Sequence, residues 1–233
     1  MDRISTDYPQ LIGKGIYGVS EATRLTGVPS GCIRRWLNGY RYKTISGHRS
    51  AAPVFERELP LVDGELALSF LDLIEVRIVN SLRKQNFSWK LIRLAVHHAR
   101  EVFKLEHPFA TKSFKTDGRR IFADLRKSRG ERPLIDLVDN QFAFRSLVEP
   151  NLRDLDFDSH QKAVRWWPLG ARHRVLLDPQ RNFGQPVVPE GVPTFVLWQA
   201  SRHGESIETV AKWYKVETRA VKDAVEFERK LAA

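Results

Sequence analysis

The chain predicts a mainly α fold with small β-hairpins, organised around two helix-turn-helix units, and three observations carry that expectation. Apolar residues recur at spacings of three and four within residues 17–37, 66–103 and 194–230, the signature of helices with one buried stripe. Glycine and proline punctuate those runs where helices would stop and hairpins would turn. Val19, Ala22, Val28, Ile33 and Leu37 also reappear at identical offsets as Ile207, Val210, Val216, Val221 and Val225, which suggests one motif used twice. Two unrelated helical pairs would give the same echo, because helical spacing repeats itself.

From Tyr17 to Leu37 the pattern reads as two short helices with a tight break. Ser20 is placed to cap a helix running to Leu25, with Ala22 and Leu25 inward. Gly27 ends it, since glycine alone takes a left-handed backbone without steric cost. Pro29 and Ser30 open the next helix, in which Ile33, Trp36 and Leu37 share a stripe and Arg34 and Arg35 fall off it. Beyond Gly39, "YRYKTIS" and "APVFE" flank Gly47-His48 and predict a hairpin wing. Residues 66–84 read as a helix apolar on two sides, Leu71, Ile74, Ile78 and Leu82 on one, Phe70, Leu73 and Val76 on the other.

Ser88 caps a helix carrying Trp89, Ile92, Val96, Ala99 and Phe103, with Pro108 as its stop. Asp117-Gly118, between "SFKT" and "RRIFADL", predicts a two-residue hairpin. Gln141 to Leu152 reads as helix, and Leu155 to Val188 as short strands around Trp166, Trp167, Val175 and Leu177. Helices at about Thr194–Arg202, Ser206–Trp213 and Thr218–Lys230 follow.

Charge is the more informative layer. A formal +10 over 233 residues favours polyanions or carboxylate-rich surfaces as partners. The excess is local: residues 22–55 hold six Lys or Arg and no Asp or Glu. Residues 112–132 hold eight basic and three acidic side chains, residues 136–158 six acids against two arginines, and residues 205–230 six of each. The single cysteine, Cys32, excludes an intramolecular disulfide and a cysteine-based zinc site. "MDRISTDYPQ" has no apolar core of signal-peptide length, and "LALSFLDLIEVRIV" is broken by Asp72, Glu75 and Arg77, so a cytoplasmic protein without a membrane span is expected.

The acid-free window has the parts needed to read DNA. With Ile33, Trp36 and Leu37 inward, Ser30, Arg34, Arg35 and Asn38 are left facing out, with Arg24 before the turn. Arg41, Lys43, His48 and Arg49 follow on the wing, interleaved with Tyr40 and Tyr42, whose hydroxyls reach phosphate or sugar. A solvated cationic face is the bland alternative, but such faces usually mix in acids at i+3 or i+4. The C-terminal echo has no cationic surplus and reads as a dimerisation or partner-binding module. No phosphate-binding glycine loop or Gly-x-Ser-x-Gly elbow is present. His97-His98 are adjacent and so point apart on a helix, and Asp154, Asp156 and Asp158 lack the closing Glu of a calcium loop. No catalytic residue, metal or cofactor is expected.

Two family resemblances sharpen this. "YGVSEATRLTGVPSGCIRRWL" resembles the winged-helix DNA-binding domain of MerR-type regulators, loosely through about residue 104. That family continues into a long dimerising helix and an effector pocket, where this chain has "HPFATKSFKTDGRRIFADL". The segment from Arg174 to Glu228 is similar to the small VapB-type antitoxin domain. It has Gly184-Gln185-Pro186-Val187, Gly191-Val192-Pro193-Thr194 and Gly204-Glu205-Ser206, then Tyr214 and Val221, with Phe227 where a tyrosine is frequent. As a whole the chain resembles long, two-domain mycobacterial-type antitoxins.

The resemblance implies a MerR-like winged helix-turn-helix in residues 1–107, a hairpin and helical connection in 108–170, and an antitoxin domain with a homeodomain-like helix-turn-helix in 171–233. It also implies a homodimer on double-stranded operator DNA and a cognate PIN-like, VapC-type ribonuclease toxin. The carboxylates of such a toxin would be occluded by a basic surface, for which Lys112, Lys115, Arg119, Arg120, Arg172, Arg174 and Arg181 are the candidates. Those cations are equally read as solvated or DNA-facing. The rival readings are a stand-alone MerR-like regulator and, in another class, a metal-dependent nuclease using Asp154 or Asp156.

Overall fold

A computed structural model describes residues 11–45, 47–116 and 149–232. Strand β1 (Tyr17–Gly18) passes directly into α1 (Val19–Thr26). Pairing of β1 holds Gly18 extended, so the helix starts at Val19 and Ser20 sits inside its first turn rather than capping it. Gly27 stops α1 in the left-handed region, φ 67°, and its N–H donates to the Thr23 carbonyl at 2.8 Å. A Cβ there would meet nothing within 4 Å, so the demand for glycine is purely a backbone one. Helix α2 (Ser30–Asn38) follows Pro29 and buries Ile33, Trp36 and Leu37.

Strands β2 (Tyr40–Thr44) and β3 (Gly47–Ala51) form an antiparallel hairpin, with Tyr40 opposite Ala51 and Thr44 opposite Gly47. The second arm is therefore Gly47–Ala51 and not "APVFE". Pro53 has no N–H to give a ladder, and Val54 and Phe55 turn into the core, the Val54 N–H donating to the Trp36 carbonyl at 2.7 Å.

Strand β4 (Ala67–Leu68) pairs antiparallel with β1, taking residues expected to be helical. Helix α3 (Phe70–Lys84) starts one residue later behind a capping box, in which Ser69 and Asp72 each accept the other's backbone N–H. Helix α4 (Trp89–Phe103) is capped by Ser88, which accepts from the Leu91 N–H at 3.2 Å. It ends on Lys104 in the left-handed region, and Pro108 opens a separate 3-10 turn, Pro108–Ala110, instead of stopping the helix. Residues 112–116 are helical, with Thr111 Oγ1 accepting from the Phe114 N–H at 3.1 Å. "SFKT" is thus no strand, and the Asp117-Gly118 turn lies outside the described residues, as do residues 141–148 of the next expected helix. The end of that helix is α5 (Glu149–Arg153).

Strands β5 (Leu155–Phe157) and β6 (Ala163–Trp166) pair as a hairpin. Single bridges then step from Trp166 to Leu177, from Leu176 to Val187 and from Val187 to Pro193. Helices α6 (Thr194–Arg202), α7 (Ile207–Tyr214) and α8 (Thr218–Ala232) follow.

The larger core joins residues of α1–α4 with β5, β6 and Leu177, and a second one is built from Val188 and α6–α8. The two are fastened near β1: Tyr17 Oη donates to the Gly184 carbonyl at 2.7 Å and the Ile16 N–H to that of Phe183 at 2.9 Å. Gly184 has φ 86°, and a Cβ there would lie 2.4 Å from Tyr17 Oη. Half-buried Arg77 stacks on Trp166, its Cζ 3.9 Å from the ring centroid. Among the described residues no helix is long and apolar enough to cross a membrane.

The sequence echo is a structural one. Val19, Gly27 and Ser30 mark the start of α1, the left-handed stop and the start of α2. Ile207, Lys215 and Thr218 mark the same three points for α7 and α8.

Candidate nucleic-acid interface

Helix α2 is anchored from behind. Trp36 meets Trp89 of α4 edge-on at 5.4 Å, and Ile33 and Leu37 are buried against the larger core. Its outer face therefore has a fixed direction, and Ser30, Arg34, Arg35 and Asn38 on it are all exposed. Arg35 is partly organised: its Nε donates to the Gly31 carbonyl at 3.0 Å, and its Cζ stands 6.0 Å from the Tyr40 ring centroid.

The β2–β3 hairpin continues this surface. Strand alternation and the register put Tyr40, Tyr42 and Arg49 on one face and Arg41, Lys43 and His48 on the other, all exposed. Tyr40 and Tyr42 pack ring to ring at 5.7 Å. At the tip Ile45 stands fully in solvent. It was not singled out in the sequence, although its alternation with Arg41 and Lys43 was visible there.

Among the described residues no carboxylate forms an ion pair with Arg34, Arg35, Arg41, Lys43, His48 or Arg49; the pairs present lie elsewhere. Arg24 differs. It lines a cleft with Glu21 and Glu228 and lies within electrostatic reach of both.

The other basic candidates are scattered. Lys112 and Arg172 are exposed, and Lys115 lies 5.5 Å from the Phe157 ring centroid. Arg174 is held by Glu190 at 2.6 Å and Glu217 at 3.4 Å, and Arg181 by Asp178 at 3.5 Å. Arg119 and Arg120 lie outside the described residues.

The alternating aspartates serve the β5–β6 hairpin. Asp156 accepts from Trp167 Nε1 at 3.0 Å, Asp158 accepts from the Lys162 N–H at 2.8 Å, and the Asp154 carbonyl accepts from the Trp167 N–H at 2.9 Å. His97 pairs with Glu101 at 3.4 Å. The one grouping with metal-ligand spacing among the described residues is His173, Asp223 and Glu226. Asp223 there accepts from His173 Nδ1 at 3.2 Å and the Arg174 N–H at 2.7 Å, and Glu226 pairs with Lys230 at 2.6 Å.

Beneath α2's supports lies a buried charged cluster. His107 Nδ1 is 3.3 Å from Glu75 and 3.9 Å from Asp72, and both acids are inaccessible to solvent. Burial pushes the Asp72 carboxyl up to about 6, against the pull of His107. Burial on its own would lower His107, but Glu75, Asp72 and Glu58 together raise it.

No family model matches the chain. Among known proteins, it is 26% identical over 222 residues to "Putative antitoxin VapB45" of Mycobacterium tuberculosis, covering 91% of this chain and 92% of that protein. The two are homologous nearly end to end. A second relative, "Uncharacterized protein Rv2308" of the same organism, is 22% identical over 243 residues, covering 98% of this chain and 96% of that one. Among solved structures, the crystal structure of Rv2018 from Mycobacterium tuberculosis superposes with a TM-score of 0.69 at 23% identity, over 90% of this chain and 96% of that one. That likeness establishes a shared fold.

Proposed function

We propose that this protein is an antitoxin-like, non-enzymatic DNA-binding protein. A homodimer would hold double-stranded operator DNA through α2 and the β2–β3 wing and neutralise a PIN-like ribonuclease toxin by direct contact. The observation that carries the DNA half is the set of five guanidinium and ammonium groups, Arg34, Arg35, Arg41, Lys43 and Arg49, exposed on one helix and one hairpin without a carboxylate partner among the described residues. Cations left without an internal counter-charge are the ones available to release counterions from phosphates. Ser30, Asn38, Tyr40, Tyr42 and His48 add hydrogen-bonding groups on the same helix and hairpin, and Arg24 joins them at the margin. The antitoxin half is supported by the end-to-end homology to the protein named as an antitoxin, which fits the winged-helix and antitoxin-domain resemblances in the sequence. Among the described residues, Lys112, Lys115 and Arg172 are the basic candidates available to a toxin's carboxylates, since Arg174 and Arg181 already have acidic partners.

Fluorescence anisotropy on duplex DNA taken from upstream of its own gene, read against salt, tests the DNA half. Five free cations predict a log–log slope of about −4 per copy, and a flat salt response overturns the assignment. Co-expression with the adjacent gene tests the other half. Retention of a small nuclease through purification supports an antitoxin, and DNA binding without such a partner leaves a stand-alone regulator.

A further inference from the structure

A cleft of about 330 Å³ opens where α1 meets the C-terminal unit. Glu21, Arg24 and Leu25 of α1 form one wall, and Phe195 of α6 with Glu228 and Leu231 of α8 form the other. That volume suits a small molecule, and seams between packed units are where such sites concentrate. Its polar groups converge. Glu21 is held by the Gln185 side chain and the Gly18 backbone, and Glu228 accepts a short hydrogen bond from Thr194 Oγ1. Arg24 interacts electrostatically with both acids yet forms an ion pair with neither. Two carboxylates thus face a single cation, and burial raises both above their ordinary value, against the pull of Arg24. Phe195 keeps half of its surface in solvent while lining the same space.

We propose that this cleft binds a small amphipathic organic cation, its protonated amine between Glu21 and Glu228 and its apolar body against Leu25, Phe195 and Leu231. A ligand anion would be repelled by the two acids. A neutral apolar ligand would strip water from them without replacing it. A divalent metal ion would meet carboxylates already accepting hydrogen bonds, with Arg24 alongside. An amine supplies the missing positive charge, and the Phe195 ring offers it a favourable face as well as apolar area. The site stands on its own residues and does not depend on the DNA reading.

The test is calorimetric titration of the full chain with phenethylamine, with 3-phenylpropionate as the probe of similar size and opposite charge. Phenethylamine is expected to saturate one site per chain with a Kd of about 1 mM, and 3-phenylpropionate to give no saturable heat. Glu21→Gln and Glu228→Gln should each weaken the amine about tenfold. Glu228→Gln keeps an acceptor for Thr194, and its fold is checked by circular dichroism. If it does not fold, Glu21→Gln and the exposed Phe195→Ala decide, and both should lose affinity. Absence of saturable amine binding, equal binding of the two probes, or binding indifferent to these substitutions overturns the proposal.

Discussion

The helix pairs α1–α2 and α7–α8 use one backbone plan to opposite ends. Each has a first helix of 8 residues, a left-handed stop and a second helix in the same register. They differ in what meets the outer face of the second helix. Arg35 of α2 is exposed, whereas the equivalent position in α8 is Asp223, buried under residues 172–174. Asp223 accepts from the Arg174 N–H at 2.7 Å and His173 at 3.2 Å, while Arg219 donates to the Arg172 carbonyl at 2.8 Å. Asn38 likewise corresponds to Glu226, which is paired with Lys230. One face is open and cationic, and the other is closed by its own chain and neutralised. The shared backbone plan therefore does not by itself set the charge that a unit presents. The partner groups available to its outward charges decide.

The sharpest way to break this contrast is Asp223→Ala. It leaves the Arg174 N–H and His173 without their acceptor and Arg219 without its ion-pair partner, and chemical denaturation should show a loss of about 3 kcal/mol. Arg35→Ala, the same position in the first unit, should change stability by no more than about 0.5 kcal/mol. DNA affinity should divide the opposite way. Arg34→Ala with Arg35→Ala should weaken operator binding about tenfold to hundredfold and flatten the salt slope by about 2. Lys222→Ala, the counterpart of Arg34, should alter neither.

The helices behind the two units differ too, since α3 carries Asp72 and Glu75 buried beside His107, whereas the core of the second unit is apolar. Asp72 and His107 both bind protons more tightly when folded than when unfolded. Their contribution is thus complete at low pH and lost as pH rises, for Asp72 between 3.8 and about 6 and for His107 above 6.5. Hydrogen exchange, corrected for intrinsic rates, should show α3 and α4 loosening as pH rises above 6.5 while α7 and α8 do not. His107→Gln should reduce that difference. Modest effects lie at the stops: Gly27→Ala should cost about 1 kcal/mol and Lys215→Gly should gain somewhat less, both measurable as shifts in Tm.

Much of this was legible in the residues. Ser88, Gly27 and the stripes of α2 and α4 carry their own local signals, and their helices fall where those signals put them. Ser69 carried one as well, but its capping box with Asp72 was hidden inside a longer apolar run. The pairing of β1 with β4 joins Tyr17 to Leu68, and no local pattern announces a two-residue strand whose partner is so far along the chain. The hairpin's second arm was misplaced for a related reason. Val54 and Phe55 look like strand residues, and only the tertiary core claims them.

The cationic face of α2 was visible because it depends on which residues are absent nearby in sequence. The closure of α8 depends on Arg172–Arg174 meeting Asp223, and Arg24's place in a cleft depends on Glu228. Neither contact leaves a trace in spacing.

The hydroxyl of Tyr17 finds its acceptor 167 positions later, at Gly184. A ribosome releases α1 and α2 roughly ten to thirty seconds before the other half of that fastening exists. Until then the N-terminal edge is unlatched, and a prematurely terminated product never acquires the latch. The seam between the two cores is in that sense closed only late in the chain's own synthesis.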